Sequence, residues 1–318
     1  MDRNLAMEFV RATEAAALSS ARFVGKGDKH SADNAAVEAM RKVFEIIDID
    51  GTVVIGEGER DEAPMLYIGE KVGSKKGPKI DIAVDPLEGT DITARGGNNA
   101  MSVLAAAPAG TLLHAPDTYM DKIAVGPRAV GAVDLDNSVS ENLNAVADKL
   151  KKDIEEVTVI VLERERHNEL IKEIRKCKCR IKLIRDGDIA GAIAPAIEDS
   201  GVDILLGIGA APEGVIAAAA LKCLGGEIQG RLKFRNEEEK SRATKMGIKD
   251  IDMKFMIDDL VKGNDAMFAA TGVTDGTLLR GVNFTSDGAF THSIVMRSKT
   301  KTVRFIEGHH KFEHFPEF

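Results

Sequence analysis

Residues 3–24 carry Ala, Glu, Met and Leu at helical spacing with no proline, and the pattern predicts a long first helix. A Gly-Lys-Gly-Asp-Lys turn follows at 25–29. Ser31 is the expected cap of a second helix through Ala35, Val37, Met40, Val43 and Phe44. Two short β-type runs come next. One spans Thr52 to Ile55 and ends in Gly-Glu-Gly-Glu; the other spans Ile80 to Val84 and stops at Asp85-Pro86. Further strands are expected at 101–106 and 121–125. From about 138 the pattern becomes strand–helix alternation: helices near 140–152, 167–176 and 188–198, strands at 157–162, 180–184 and 204–206, and an Ala-rich helix from Pro212. Such alternation predicts a largely parallel sheet covered on both faces. The stretch 284–308 returns to strand character. The change of pattern places a domain boundary near 150, giving an N-terminal α+β domain over 1–150 and a C-terminal α/β domain over 151–318.

Composition narrows the function. At 318 residues the chain can bury a full core, and without tryptophan that core must rest on aliphatic side chains. The formal charge of −8 speaks against a nucleic-acid partner, which normally meets a basic stripe. No apolar run approaches a membrane span, and the Met-Asp-Arg-Asn start lacks the order of a signal peptide. Cys177, Cys179 and Cys223 are odd in number and suit structural roles in a reducing cytoplasm. His309, His310 and His314 cluster near the end, where a solvated tail or an interface competes with a zinc site.

Acidic residues stand where elements start and stop. Asp33 lies in the first turn of the second helix. Glu57 and Glu59 lie on a glycine-flanked turn with Asp61 just beyond, Asp85 and Glu88 bracket a Pro-Leu turn completed by Gly89-Thr90, and Glu213 opens the Ala-rich helix. Ligands of open α/β sheets bind beyond the carboxyl ends of strands. Hard divalent cations take carboxylate and phosphate oxygens, so a cluster here can hold an anionic substrate that the carboxylates alone would repel. Each piece also has a plain reading. Asp33 and Glu213 can simply answer the helix dipole, and Glu57, Glu59 and Asp61 can form a solvated turn. Asp-Gly-Thr recurs at 50–52 and 275–277, so only the placement of Asp85-Pro86-Leu87-Glu88-Gly89-Thr90 after an apolar strand lifts that copy above the others. Arg164 and Arg166 follow a strand and can fork onto a phosphate, or form a surface charge pair within Glu163-Arg164-Glu165-Arg166. Asp186 and Asp188 also follow a strand and can accept from sugar hydroxyls, or Asp186 can cap a helix.

The segments Gly27-Asp28-Lys29 through Asp33, Gly56-Glu57-Gly58-Glu59 through Asp61-Glu62-Ala63-Pro64-Met65, Asp85 to Thr90, and Ala211-Pro212-Glu213-Gly214 resemble class II fructose-1,6-bisphosphatase. That family is the bacterial branch of the lithium-sensitive, metal-dependent phosphatases that include inositol monophosphatase. The resemblance runs from the first helix to Ala-Ala-Thr-Gly-Val-Thr-Asp-Gly at 269–276. It implies a two-domain layered α/β/α/β/α sandwich and a homo-oligomer, dimer or tetramer. It implies hydrolysis of fructose 1,6-bisphosphate in gluconeogenesis, and sometimes of sedoheptulose 1,7-bisphosphate.

Carried over by motif, Asp33, Glu57, Asp85, Glu88 and Glu213 would hold Mg²⁺ or Mn²⁺, and Thr90, Asp61 and Lys29 would prepare the attacking water. Substrate would meet Glu88, Gly89, Thr90, Tyr119, Arg164, Glu165, Arg166, Asp186, Gly187, Asp188 and Ala210. Two departures stand out. Gly209-Ala210 replaces the usual Gly-Gly, where a methyl can crowd the substrate or narrow the backbone angles, and Asp91 follows Thr90 where a small neutral residue is usual. The rivals are an inositol-phosphate or sulfonucleotide phosphatase of the same superfamily, and a sugar-phosphate sensor without turnover. Arg164 and Arg166 favour a second phosphate against the first rival; Thr90, Asp61 and Lys29 speak against the second. A dinucleotide-binding protein is weaker still, because no Gly-x-Gly-x-x-Gly opens a helix.

Overall fold

The computed structural model describes residues 1–2, 4–58 and 64–312. In chain order the main elements begin with helices α1 (Leu5–Ala21) and α2 (Lys29–Ile46) and strands β1 (Asp50–Ile55), β2 (Lys71–Val72) and β3 (Lys79–Glu88). Then come α3 (Thr90–Arg95), β4 (Met101–Pro108), β5 (Tyr119–Val125), α4 (Val139–Leu150), β6 (Thr158–Leu162), α5 (Asn168–Lys176), β7 (Arg180–Ile184) and α6 (Asp188–Ile193). The rest is β8 (Ile204–Ala210), α7 (Ala211–Leu224), β9 (Glu227–Lys233), α8 (Glu237–Lys245), β10 (Lys254–Met256), α9 (Ile257–Leu260), β11 (Met267–Gly272), β12 (Asn283–Phe284), β13 (Gly288–Arg297) and β14 (Thr302–Lys311).

These elements form two compact units, and the division differs from the expected boundary near 150. Among the described residues the first unit takes 1–112 and 263–312, and the second takes 113–262. Residues 113–150 therefore fold with the second unit, and the last three long strands return to the first.

In the first unit the sheet runs β12-β13-β11-β4-β3-β1-β2, with β14 paired to β13. Helices α1 and α2 cover it. Phe9, Val10, Met40 and Phe44 are fully or nearly fully buried against Val53, Ile80, Ile82 and Leu104. Each such side chain contributes roughly 1.5–3 kcal/mol by leaving water. The cap of α2 is Asp28, not Ser31: the Asp28 carboxylate accepts from the Ser31 amide at 3.0 Å and the Ser31 hydroxyl at 2.6 Å. Strand β3 also runs past its expected stop, through Pro86 to Glu88. Its register against β4 shifts between Asp85 and Glu88, and such an irregularity is where a strand tolerates proline.

In the second unit the order is β10-β9-β5-β8-β6-β7. Only β6 pairs parallel with its neighbours β7 and β8; β5 runs antiparallel to β8 and β9, and β9 to β10. The expected largely parallel sheet is thus a mixed one. Helices α4 and α5 pack Leu143, Val146 and Ile174 on Ile123, Val159 and Ile204. Helix α4 starts with a capping box in which Ser138 and Glu141 exchange bonds to each other's amides.

Candidate active site

The first unit gathers carboxylates at the ends of short elements. Gly56 turns the chain after β1 under the Leu66 carbonyl, which a Cβ at 56 would meet at 1.9 Å, so only glycine fits. The next residue, Glu57, donates its amide to that same carbonyl at 3.0 Å. Burial first, then the neighbouring Asp85 and Asp33 charges, pushes the Glu57 carboxyl up to about 8. Asp33, on α2, is also raised by burial, with His30 pulling the other way. Asp85 stands on β3, and Glu88, at the end of that strand, is 2% exposed. Gly89 takes φ 90°, ψ 48°, a left-handed conformation open to glycine, and so lets Thr90 begin α3 at once.

Lys29, the first residue of α2, lies 3.5 Å from the Asp91 carboxylate on α3. The departure at 91 thus gives Lys29 a partner. Asp61 lies outside the described residues, as do Glu59 and His314.

The donor chemistry of this cluster suits a hard divalent cation. It offers oxygen ligands only, and a cation would offset both the burial and the neighbouring charges that raise Glu57. Among the described residues no three Asp, Glu, His or Cys side chains are drawn together into a metal cage. Cys177, Cys179 and Cys223 form no disulfide, and burial pushes Cys179 up to about 11.

The second unit carries the expected substrate residues. The Tyr119 ring at the start of β5 faces the Arg166 guanidinium, whose carbon lies 4.7 Å from the ring centre. Arg166 is fixed from behind: its Nε and Nη2 donate to the Ile208 carbonyl at 2.9 and 2.8 Å. The amide of Ile208 in turn donates to His167 Nε2 at 2.7 Å, and His167 Nδ1 donates to the Leu162 carbonyl at 2.7 Å. These two bonds assign the neutral tautomer with the proton on Nδ1. Burial agrees, holding the His167 imidazole below its ordinary value. Arg164 and Glu165 stand exposed on the short turn before His167.

Asp186 does not cap α6. Gly187 occupies that place at φ 91°, and Asp186 Oδ1 accepts from the Gly187 amide at 3.2 Å. Asp188 is 6% exposed and ion-paired with Lys122, itself 1% exposed. Lys122 Nζ also donates to the Ala210 carbonyl at 2.9 Å, so one buried ammonium ties the 186–188 loop to the start of α7. Gly209 makes room, since a Cβ there would sit 2.0 Å from Asp188 Oδ2. Ala210, at φ −67° and ψ 140°, is in ordinary extended backbone, so its methyl costs no strain. Glu213 stands half-buried in the first turn of α7.

Three residues here escaped the sequence reading: Lys122, His167 and Arg235. The Arg235 guanidinium lies 5.2 Å from the Tyr119 ring centre. Each had a signal: a lysine inside an apolar strand, a histidine directly after Arg166, and an arginine just beyond the end of β9.

Residues 3–310 match the family model described as bacterial fructose-1,6-bisphosphatase, glpX-encoded. The chain is 47% identical over 334 residues to the D-fructose 1,6-bisphosphatase class 2/sedoheptulose 1,7-bisphosphatase of Synechococcus sp. (strain JA-3-3Ab), covering 98% of this chain and 96% of that one. The protein of the same name from Synechococcus sp. (strain JA-2-3B'a(2-13)) gives the same identity and coverage. The D-fructose 1,6-bisphosphatase class 2/sedoheptulose 1,7-bisphosphatase 2 of Acaryochloris marina (strain MBIC 11017) is 46% identical over 337 residues, covering 98% of this chain and 97% of that one.

Proposed function

Since the chain belongs to the bacterial, glpX-encoded fructose-1,6-bisphosphatase family, a family of phosphatases, we propose that it hydrolyses the 1-phosphate of fructose 1,6-bisphosphate, with sedoheptulose 1,7-bisphosphate as a second substrate. The single observation that carries this reading is a buried Glu57 beside Asp85 and Asp33, its carboxyl pushed up to about 8 by burial first and by those two charges second. Such a group of acids suits chemistry on a phosphate only with cations present.

A phosphatase of this family works with bound metal, and here Mg²⁺ or Mn²⁺ on Asp33, Glu57, Asp85 and Glu88, with Glu213 as a further carboxylate, would neutralise the acids and polarise the phosphoryl group. Thr90, on the first residue of α3, orients the attacking water through its hydroxyl. Lys29 supports it with positive charge, and Asp61 is the proposed proton acceptor. Gly89, with no side chain, would let the backbone approach the phosphate under attack. Tyr119, Arg164 and Arg166 receive the phosphate that is retained. Glu165, Asp186, Gly187, Asp188 and Ala210 line the sugar, with Asp188 also paired to Lys122. No helix among the described residues is long and apolar enough to cross a membrane. A cytoplasmic homo-oligomer working in gluconeogenesis is the proposed setting.

The test is phosphate release from fructose 1,6-bisphosphate with Mn²⁺, with Mg²⁺ and with EDTA, beside inositol 1-phosphate. Metal-dependent turnover of the bisphosphate alone supports the reading. Activity confined to inositol 1-phosphate would keep the carboxylate cluster and discard the arginine pocket.

A further inference from the structure

Two guanidinium groups flank one phenol ring in the second unit, and only one of them has a place in the reading so far. Arg166 lies 4.7 Å and Arg235 5.2 Å from the centre of the Tyr119 ring. Like charges that close repel, so the fold must hold each by its own anchor. Arg166 rests on the Ile208 carbonyl, which His167 fixes from the other side of the peptide.

Arg235 rests on Glu239. Its Nε donates to Glu239 Oε1, and its backbone amide donates to Oε2 at 2.8 Å. Glu239 is 2% exposed and cannot swing away: it also accepts from the Thr118 hydroxyl at 2.6 Å, and its amide is capped by Asn236 Oδ1 at 2.9 Å. Thr118 adjoins Tyr119, so this anchor is built into the same strand start that carries the ring. Asp117 adds a weaker negative charge facing Arg235.

The arrangement is directional. Glu239 takes the Nε edge of the guanidinium, and among the described residues the two terminal nitrogens have no hydrogen-bond partner. The Arg235 side chain is 51% exposed, so those donors are open to a ligand. A guanidinium held by one edge and stacked on an aromatic face presents a planar fork suited to phosphate oxygens. Glu239 cancels one of the two positive charges, and the other remains for an anion.

We propose that Arg235 determines specificity for the second phosphate. With Arg166 and Tyr119 it forms a subsite for a phosphate monoester dianion on a polyol, and this rests on the sugar-bisphosphate reading above. The subsite favours substrates that carry a phosphate at both ends over those with the reacting phosphate alone.

The experiment compares kcat/KM for fructose 1,6-bisphosphate and fructose 1-phosphate in the full-length wild type, Arg235→Gln and Arg235→Lys, with metal supplied. Loss of a charge-assisted contact predicts a fall of roughly 10- to 100-fold in the bisphosphate preference for Arg235→Gln, read mainly in KM. Arg235→Lys should recover part of it, since charge returns without the fork. An unchanged preference ratio in Arg235→Gln overturns the inference, including the case where both substrates suffer equally. Should the wild type turn over neither sugar, the catalytic reading falls, but the subsite is still testable by calorimetry with fructose 6-phosphate. There, weakening of roughly tenfold or more in Arg235→Gln supports it, and unchanged affinity overturns it.

Discussion

Each unit crowds like charges together, and each handles the repulsion differently. In the first unit Glu57 is buried beside Asp85 and Asp33, and burial first, then their charges, raises its carboxyl to about 8. In the second, Arg166 and Arg235 share one ring, yet each is tied to an acceptor of the fold, the Ile208 carbonyl or the Glu239 carboxylate. Nearby, the buried Asp188 is matched by Lys122. The contrast teaches where outside charge is needed. A buried group of acids asks for cations, whereas an anchored guanidinium pair is already organised and asks only for a modest anion.

The largest way to break this comparison is to remove the strained acid. Glu57→Gln should cut metal-dependent phosphate release at least about a thousand-fold, because the cation site loses a charged ligand. The same change should leave the metal-free protein no less stable in a urea melt, since it relieves repulsion and desolvation; a clear loss of stability would say that Glu57 holds the fold together.

Next comes the matched pair. Lys122→Met should cost about 3–5 kcal/mol in urea unfolding, because it strands a buried carboxylate. Lys122→Met with Asp188→Leu should recover most of that loss, as apolar replacements of buried pairs often do. A single variant as stable as wild type would show that Asp188 is not confined as described.

The third prediction concerns pH. The folded state holds His167 below its ordinary value of 6.5, so the unfolded chain binds this proton more readily. Stability from this group is therefore complete above about pH 6.5 and is lost as pH falls towards the lower folded value. Protonation would also end the Ile208-to-His167 bond behind Arg166. His167→Gln should flatten the fall in melting temperature between neutral and mildly acidic pH relative to wild type; parallel curves would rule the coupling out. The smallest effect is expected at Asp91. Asp91→Ala should change stability by less than about 1 kcal/mol, because its pair with Lys29 is well exposed on both sides.

How far the sequence spoke for itself follows the same contrast. The acids of the first unit were legible because each sits at the end of a short element, where glycine and proline punctuate the chain: Gly56 before Glu57, Pro86 before Glu88. Helix and strand positions were mostly legible too, since they rest on local periodicity. Pairing was not. Nothing local to 119–125 says that β5 lies between β8 and β9, or that β11, β13 and β14 return to the first unit after an excursion of 150 residues. The antiparallel partners of β5 come from later in the chain, which is why a largely parallel sheet and a boundary near 150 were expected. Lys122, His167 and Arg235 were missed for a related reason. Their partners, Asp188, Ile208 and Tyr119, lie 41 or more positions away, and only the folded register brings them together.

The most direct test of the whole account sets the two charge clusters against each other in one assay. Phosphate release is measured for fructose 1,6-bisphosphate and fructose 1-phosphate, with Mn²⁺ or Mg²⁺ and again with EDTA. The account predicts that EDTA abolishes both activities, since the acids of the first unit need cations whatever the substrate. It also predicts a markedly lower KM for the bisphosphate, since only that substrate carries the second phosphate proposed for the guanidinium pair. Turnover that survives EDTA, or one KM shared by both sugars, would contradict it.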